Sequence, residues 1–182
     1  MSAFDELVDR KLIDHVGVCN FDVDLLDEAV DNMESPLFAH QIETHPLLQQ
    51  DELIGHAQEN DYHHIAYSPL ARSNTLYISE ITEIAEKHDI SASQVSFVWL
   101  LSRENVTVVP KATGEDQIRV DFAAQDLELD DENVERIRDT NGPSGTSAVT
   151  ARRGSKPDRR LADFCFHARS GVDAVRITRR LV

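Results

Sequence analysis

The sequence predicts an α/β fold, with four parallel strands each followed by at least one helix. Three observations predict it. Apolar periodicity alternates between strand-like and helix-like spacing along the first 140 residues. A helical stretch always separates one strand-like run from the next, which calls for parallel pairing through right-handed crossovers. Each strand-like run also ends in polar residues, the place where α/β sheets carry their chemistry. Four such units amount to about half of a (β/α)8 barrel. A four-stranded doubly wound sheet is the alternative, but no G-x-G-x-x-G follows any strand.

Each element has a local reason. Ser2 can cap a helix running through Val8, with Phe4, Leu7 and Val8 on one face. His15 to Phe21 reads as a short buried strand ending in a turn, and Asp22 or Asp24 caps a helix carrying Leu25, Leu26, Ala29 and Val30. Phe38 to Glu43 alternates as a strand does, and Asp51 to Asn60 has helical spacing in Leu53, Ile54 and Ala57. His63 to Tyr67 is a third strand, closed by Ser68-Pro69. Ser79 to His88 is an amphipathic helix, and Ser91 opens another that holds Val95, Val98, Trp99 and Leu101 inside. Val106 to Val109 is a β-branched strand broken by Pro110. Glu115 to Ala124 and Asp130 to Asp139 are helical again.

The chain of 182 residues has 33 acidic and 18 basic side chains, a formal net charge of −15. Residues 1–140 hold 9 Lys/Arg against 30 Asp/Glu, whereas residues 141–182 hold 9 against 3. The two segments are therefore expected to differ: an acidic domain over 1–140 and a basic tail over 141–182 outside the fold. Asn141-Gly142-Pro143-Ser144-Gly145 marks the break. The tail reads as a solvated extension, as a nucleic-acid-binding arm, or as a stretch not selected together with the domain, such as a shifted reading frame. In residues 1–140, dense carboxylates with only Lys11, Lys87 and Lys111 as lysines suit a salt-rich cytoplasm and disfavour nucleic acid or an anionic membrane as partners of that body. Two cysteines, Cys19 and Cys165, make neither a disulfide framework nor a cysteine-rich zinc site. The longest apolar run, Phe97 to Leu101, is far below the ~20 residues of a membrane span. No secretory signal is visible, so the cytoplasm is the expected compartment.

The strand ends carry the functional reading. They present Cys19-Asn20, then Gln41 with Glu43-Thr44-His45, then Tyr67-Ser68, then Lys111-Ala112-Thr113. Amides suit a carboxamide ligand, an aromatic face suits a flat ring and a lysine suits a phosphate. That inventory fits a nicotinamide dinucleotide held without a glycine-rich loop.

Four motifs then stand in register. Gly17-Val18-Cys19-Asn20-Phe21, Gln41-Ile42-Glu43-Thr44-His45-Pro46, Ala66-Tyr67-Ser68-Pro69-Leu70 and Val109-Pro110-Lys111-Ala112-Thr113 together resemble the C-terminal half of an aldo-keto reductase, over residues 2–140. The resemblance implies the last four βα units of a (β/α)8 barrel, with NADP (or NAD) as cofactor and a small carbonyl compound as substrate. It implies that Cys19, Asn20 and Gln41 face the nicotinamide carboxamide and that Tyr67 stacks on the ring. Ser68 and Leu70 would line the pyrophosphate, and Lys111 and Thr113 would hold the adenosine 2′-phosphate, with Gln117 and Asp121 beside it.

Departures from the pattern matter. Cys19 stands where the family usually has serine, Ala112 stands after Lys111 where the family often has serine, and Gln117 occupies the place of an arginine that stacks on adenine; Val120 and Asp121 replace a common Glu and Asn. Loss of that bidentate, stacking cation predicts a preference for NADH. The resemblance also implies that the catalytic Tyr, Lys, Asp and His belong to the other half of the barrel, so no catalytic residue is assigned here. The chain is thus expected either to pair with a complementary N-terminal half or with itself, or to be a truncated remnant that binds nucleotide without turnover. A metal site is not expected, because His63 and His64 open their strand, at the wrong rim for one.

Overall fold

The computed structural model describes residues 2–140 and 164–166. α1 (Ser2–Asp9) leads into β1 (Val16–Cys19), α2 (Val23–Asp31), β2 (Leu37–Glu43), α3 (Asp51–Glu59), β3 (His63–Tyr67), α4 (Ser79–His88), α5 (Ala92–Leu101), β4 (Val106–Val109), α6 (Glu115–Ala123) and α7 (Asp131–Arg138). β1 to β4 are parallel and adjacent in chain order, as the alternation predicts. Residues Phe164–Phe166 form β5, antiparallel to β1, so the sheet has the order β4-β3-β2-β1-β5. The sequence reading had no strand there; the rest of 141–182 lies outside the described residues. A 3-10 turn over Ala71–Tyr77 and another over Ala124–Asp126 were not expected either.

Register determines what each face carries. Val18, His40 and His64 stand side by side, with Ile42, Ala66 and Val108 one layer further on, and all six are buried. Because side chains alternate along a strand, Cys19, Gln41 and Ile65 line the opposite face, with Glu43, Tyr67 and Val109 beyond them. Gly17 permits the close approach of β1 to β2, since a Cβ there would stand 3.0 Å from the Ala39 carbonyl oxygen, next to a register shift between Val16 and Gly17.

Helices cover the first face. Ile81 and Ile84 of α4 pack with Val95, Phe97, Val98 and Leu100 of α5 against Ala66 and Val108. α5 is apolar on every side because α4, α6 and β4 all pack against it. A second cluster joins Val18 and Ile42 to Leu26, Ala29, Leu53, Ala57 and Tyr62 under α2 and α3. The caps are local: Asp22 accepts from Leu25 N, Asp130 accepts from Asn133 N, and Ser91 with Gln94 forms a reciprocal capping box. Trp99 is fully buried, donates through Nε1 to the Val134 carbonyl and carries the Arg103 guanidinium 4.2 Å over its ring. Arg103 also binds Asp51 at 2.7 Å and the Gln49 carbonyl at 3.1 Å.

Candidate functional site

The carboxyl ends of β1, β2 and β3 meet in one polar cluster. Asn20 leaves β1 in the left-handed region, φ 57°, which asparagine tolerates better than most side chains. That turn aims its side chain across the sheet, and the Tyr67 hydroxyl donates to Asn20 Oδ1 at 3.1 Å. The backbone supports the crossing: Asn20 N donates to the Gln41 carbonyl at 2.9 Å, and Thr44 N donates to the Tyr67 carbonyl at 3.2 Å. The ladder therefore continues one residue past the strands and holds all three ends at a fixed height. Cys19 Sγ lies 3.8 Å from Gln41 Oε1. Cys19 is disulfide-bonded, so its sulfur has no proton to donate to that oxygen.

Ser68 follows Tyr67 with φ 50°, and its carbonyl accepts from Ala71 N. Ala71, Arg72 and Ser73 are left-handed in succession, a costly conformation for residues other than glycine. Leu70 turns its side chain into the α4–α5 core, and its carbonyl accepts from Thr75 N and Oγ1. Only backbone from this turn is therefore presented outward at Leu70.

Lys111, Thr113 and Gln117 occupy a separate segment, the exit of β4 and the first turn of α6, and all are exposed. Lys111 makes no ion pair among the described residues. Gln117 Nε2 donates to Asp121 Oδ1 at 2.6 Å, and burial raises the carboxyl group of Asp121. Arg119 is drawn back to Glu115 at 2.6 Å, so it does not stand in for the arginine absent at Gln117.

Thus Cys19, Asn20, Gln41 and Tyr67 are brought together, whereas Lys111, Thr113, Gln117 and Asp121 lie along β4 and α6. Glu43, present at the second strand end in the sequence, was given no role there. It faces the same side as Gln41 and stands beside Tyr67, which strict alternation from Gln41 would have found.

The histidines serve the back of the site. His40 Nε2 accepts from Phe21 N at 3.2 Å, and His64 Nε2 meets Thr44 Oγ1 at 2.8 Å, so each ring fastens a strand-end turn from behind the sheet. Both are fully buried, and burial pushes His40 down to about 4 and His64 down to about 3. Among the described residues no group of three or more His, Cys, Asp or Glu side chains could hold a metal ion, and no helix is long and apolar enough to cross a membrane.

Residues 1–141 match the sequence profile of the Aldo/keto reductase family. Glyoxal reductase of Bacillus subtilis is 33% identical over 135 residues, covering 74% of this chain and 49% of that protein. Methylglyoxal reductase DkgB of Escherichia coli O157:H7 is 30% identical over 138 residues, covering 75% and 51%. Among solved structures, aldo-keto reductase MGS-M4 from a Medee basin deep-sea metagenome library superposes with a TM-score of 0.72 at 33% identity, over 77% of this chain and 53% of that one. A variant of Gox0644 in complex with NADPH gives a TM-score of 0.73 at 26% identity, over 79% and 53%. The chain belongs to the aldo/keto reductase family, and it spans about half the length of the relatives it matches.

Proposed function

We propose that this chain supplies the cofactor-binding half of an NAD(P)H-dependent carbonyl reductase. The observation that carries the proposal is the Asn20–Tyr67 hydrogen bond, which sets an amide and an aromatic ring side by side at the mouth with Gln41 on the same sheet face. The residues present fit a nicotinamide dinucleotide. Asn20 accepts from Tyr67 through Oδ1, and its Nδ2 makes no hydrogen bond among the described residues, so it is left to donate to a carboxamide oxygen. Gln41 is the second amide, and the face of Tyr67 takes the flat ring. Backbone around Ser68 to Ser73 lines the pyrophosphate, and Lys111 with Thr113 meets the adenosine ribose and any phosphate on it. When bound, the reduced nicotinamide supplies a hydride to the carbonyl carbon. The protein's part at this mouth is to fix the ring's orientation and exclude water from one of its faces. Substrate names of the glyoxal and methylglyoxal reductases point to small dicarbonyl aldehydes as the first compounds to assay.

The adenosine end favours NADH. Gln117 brings no charge, Arg119 is paired with Glu115, and the Asp121 carboxylate would repel a 2′-phosphate while accepting from a 2′-hydroxyl. Calorimetric titration with NADH and NADPH tests both statements. Binding that weakens about ten-fold or more in Asn20→Ala and Tyr67→Ala supports the site, and heat-silent titrations of the folded protein refute it. A large advantage for NADPH refutes the preference.

A second reading, nucleotide binding without turnover, is favoured by one observation. The Tyr67 hydroxyl is held by Asn20, and the lysine nearest in sequence to a strand end, Lys111, lies on another segment. The described mouth therefore offers no tyrosine–lysine pair to protonate an alkoxide. Aldehyde-dependent oxidation of NADH by the purified chain would exclude this reading.

A further inference from the structure

We infer that His40 and His64 are positioning residues for the mouth at the carboxyl ends of β1 to β3, held in opposite tautomers: His40 sets Asn20 through the turn at Phe21, and His64 sets Tyr67 through Thr44. The inference deepens the cofactor reading and rests on it for the ligand, but not for the tautomers. Both rings lie on the sheet face away from Gln41, side by side in register, with centroids 6.2 Å apart and one edge toward the other's face. Each reaches past its own strand to the exit of the strand before it. Phe21 N donates to His40 Nε2 at 3.2 Å, and Phe21 directly follows Asn20, whose φ of 57° turns its amide toward Tyr67. His64 Nε2 meets Thr44 Oγ1 at 2.8 Å, and Thr44 N donates to the Tyr67 carbonyl at 3.2 Å. The two rings thus hold the Asn20–Tyr67 pair from both of its ends.

Hydrogen-bond direction fixes the tautomers. Burial keeps both rings neutral, so each carries one N–H. A backbone amide can only donate, so His40 Nε2 is the bare nitrogen and its proton sits on Nδ1. The Thr44 hydroxyl directs its single proton to the Ile42 carbonyl at 3.3 Å, so it accepts from His64, whose proton sits on Nε2. Nδ1 of each ring is buried and has no hydrogen-bond partner among the described residues, a donor on His40 and an acceptor on His64. Orphaned buried polar atoms are destabilising, and leucine or phenylalanine at either place would leave none. The histidines therefore weaken the packing behind the sheet, and what they supply in return is the fixed position of the two turns.

Nitrogen-15 spectra of the full chain without nucleotide test the tautomers. His40 should carry its proton on Nδ1 and His64 on Nε2; the same tautomer in both rings, or a charged ring at neutral pH, would overturn the inference. Glutamine places an amide group where histidine has Nε2, so it can accept from Phe21 N at His40 or donate to Thr44 at His64, whereas phenylalanine can do neither. By calorimetry His40→Phe and His64→Phe should each weaken NADH binding about ten-fold, and His40→Gln and His64→Gln should stay within roughly three-fold of the unmodified chain. The Phe21 amide should exchange with solvent faster in His40→Phe and at its original rate in His40→Gln. Asn20→Ala combined with His40→Phe should bind no more weakly than Asn20→Ala alone, because His40 acts through that turn. Glutamine variants as weak as the phenylalanine ones, phenylalanine variants that bind as the unmodified chain does, or additive losses in the double variant would overturn the inference. If the phenylalanine variants do not fold, the tautomers and the glutamine variants decide it. A titration that is silent in the unmodified chain refutes the cofactor reading instead, and the spectra and the Phe21 exchange then decide the positioning.

Discussion

His40 and His64 make stability depend on pH. Burial holds them at about 4 and about 3 in the folded chain, against ~6.5 when unfolded. The unfolded chain therefore binds protons that the native one refuses, so the stability these rings allow is complete above pH ~6.5 and is lost as pH falls toward their folded values. Each ring contributes a slope of at most about 1.4 kcal/mol per pH unit in that window. Asp130, held down by its hydrogen bond from Asn133 N and by Lys87, acts in the same direction at lower pH; Asp121, raised by burial, acts against it. Urea midpoints should fall between pH 7.5 and pH 5, and His64→Gln should flatten that fall. Equal midpoints at the two pH values would refute this account. At the same scale, Trp99→Ala should cost about 3–5 kcal/mol, because it empties a fully buried site and removes the ring under Arg103. Chemical unfolding of the variant measures it.

Elements are held by local chemistry that was readable in advance. Asp22, Ser91 and Asp130 cap α2, α5 and α7, as their places before each apolar periodicity suggest. Ser91→Ala should cost about 1 kcal/mol, since it breaks both halves of the capping box, and the denaturant midpoint checks this. Gly17→Val should cost more than that cap, because a side chain there meets the backbone of β2 at Ala39. A midpoint shift smaller than that of Ser91→Ala would contradict it. The 3-10 turn at Ala71–Tyr77 was hidden because its left-handed residues, Ala71, Arg72 and Ser73, carry no glycine or asparagine to announce it. β5 was hidden because its three residues are a strand only by pairing with β1.

Over the whole molecule the charge is the dominant quantity. The ion pairs among the described residues are mostly exposed, such as Arg10–Glu6 and Arg136–Glu83, and exposed pairs contribute little. Residues 1–140 carry 30 acidic against 9 basic side chains, so added salt should relieve repulsion. The melting temperature is expected to rise from dilute buffer to molar KCl; a fall would show that the carboxylates are not the governing term. The same excess disfavours close self-association at low salt.

From the sequence alone came the alternation of strand and helix, the caps and the strand-end motifs, because each depends on residues a few positions apart. That Asn20, Gln41 and Tyr67 stand at the ends of successive strands was legible through those motifs. Their contact was not, since it needs the register of three strands and the left-handed turn at Asn20. Tertiary structure alone decided that Leu70 points into the core, that Gln117 and Asp121 bind each other, that His40 and His64 fasten the site from behind, and that Ile118 and Phe122 face outward. Those outcomes depend on which surfaces meet across the chain, and periodicity along one segment carries no information about what lies opposite it.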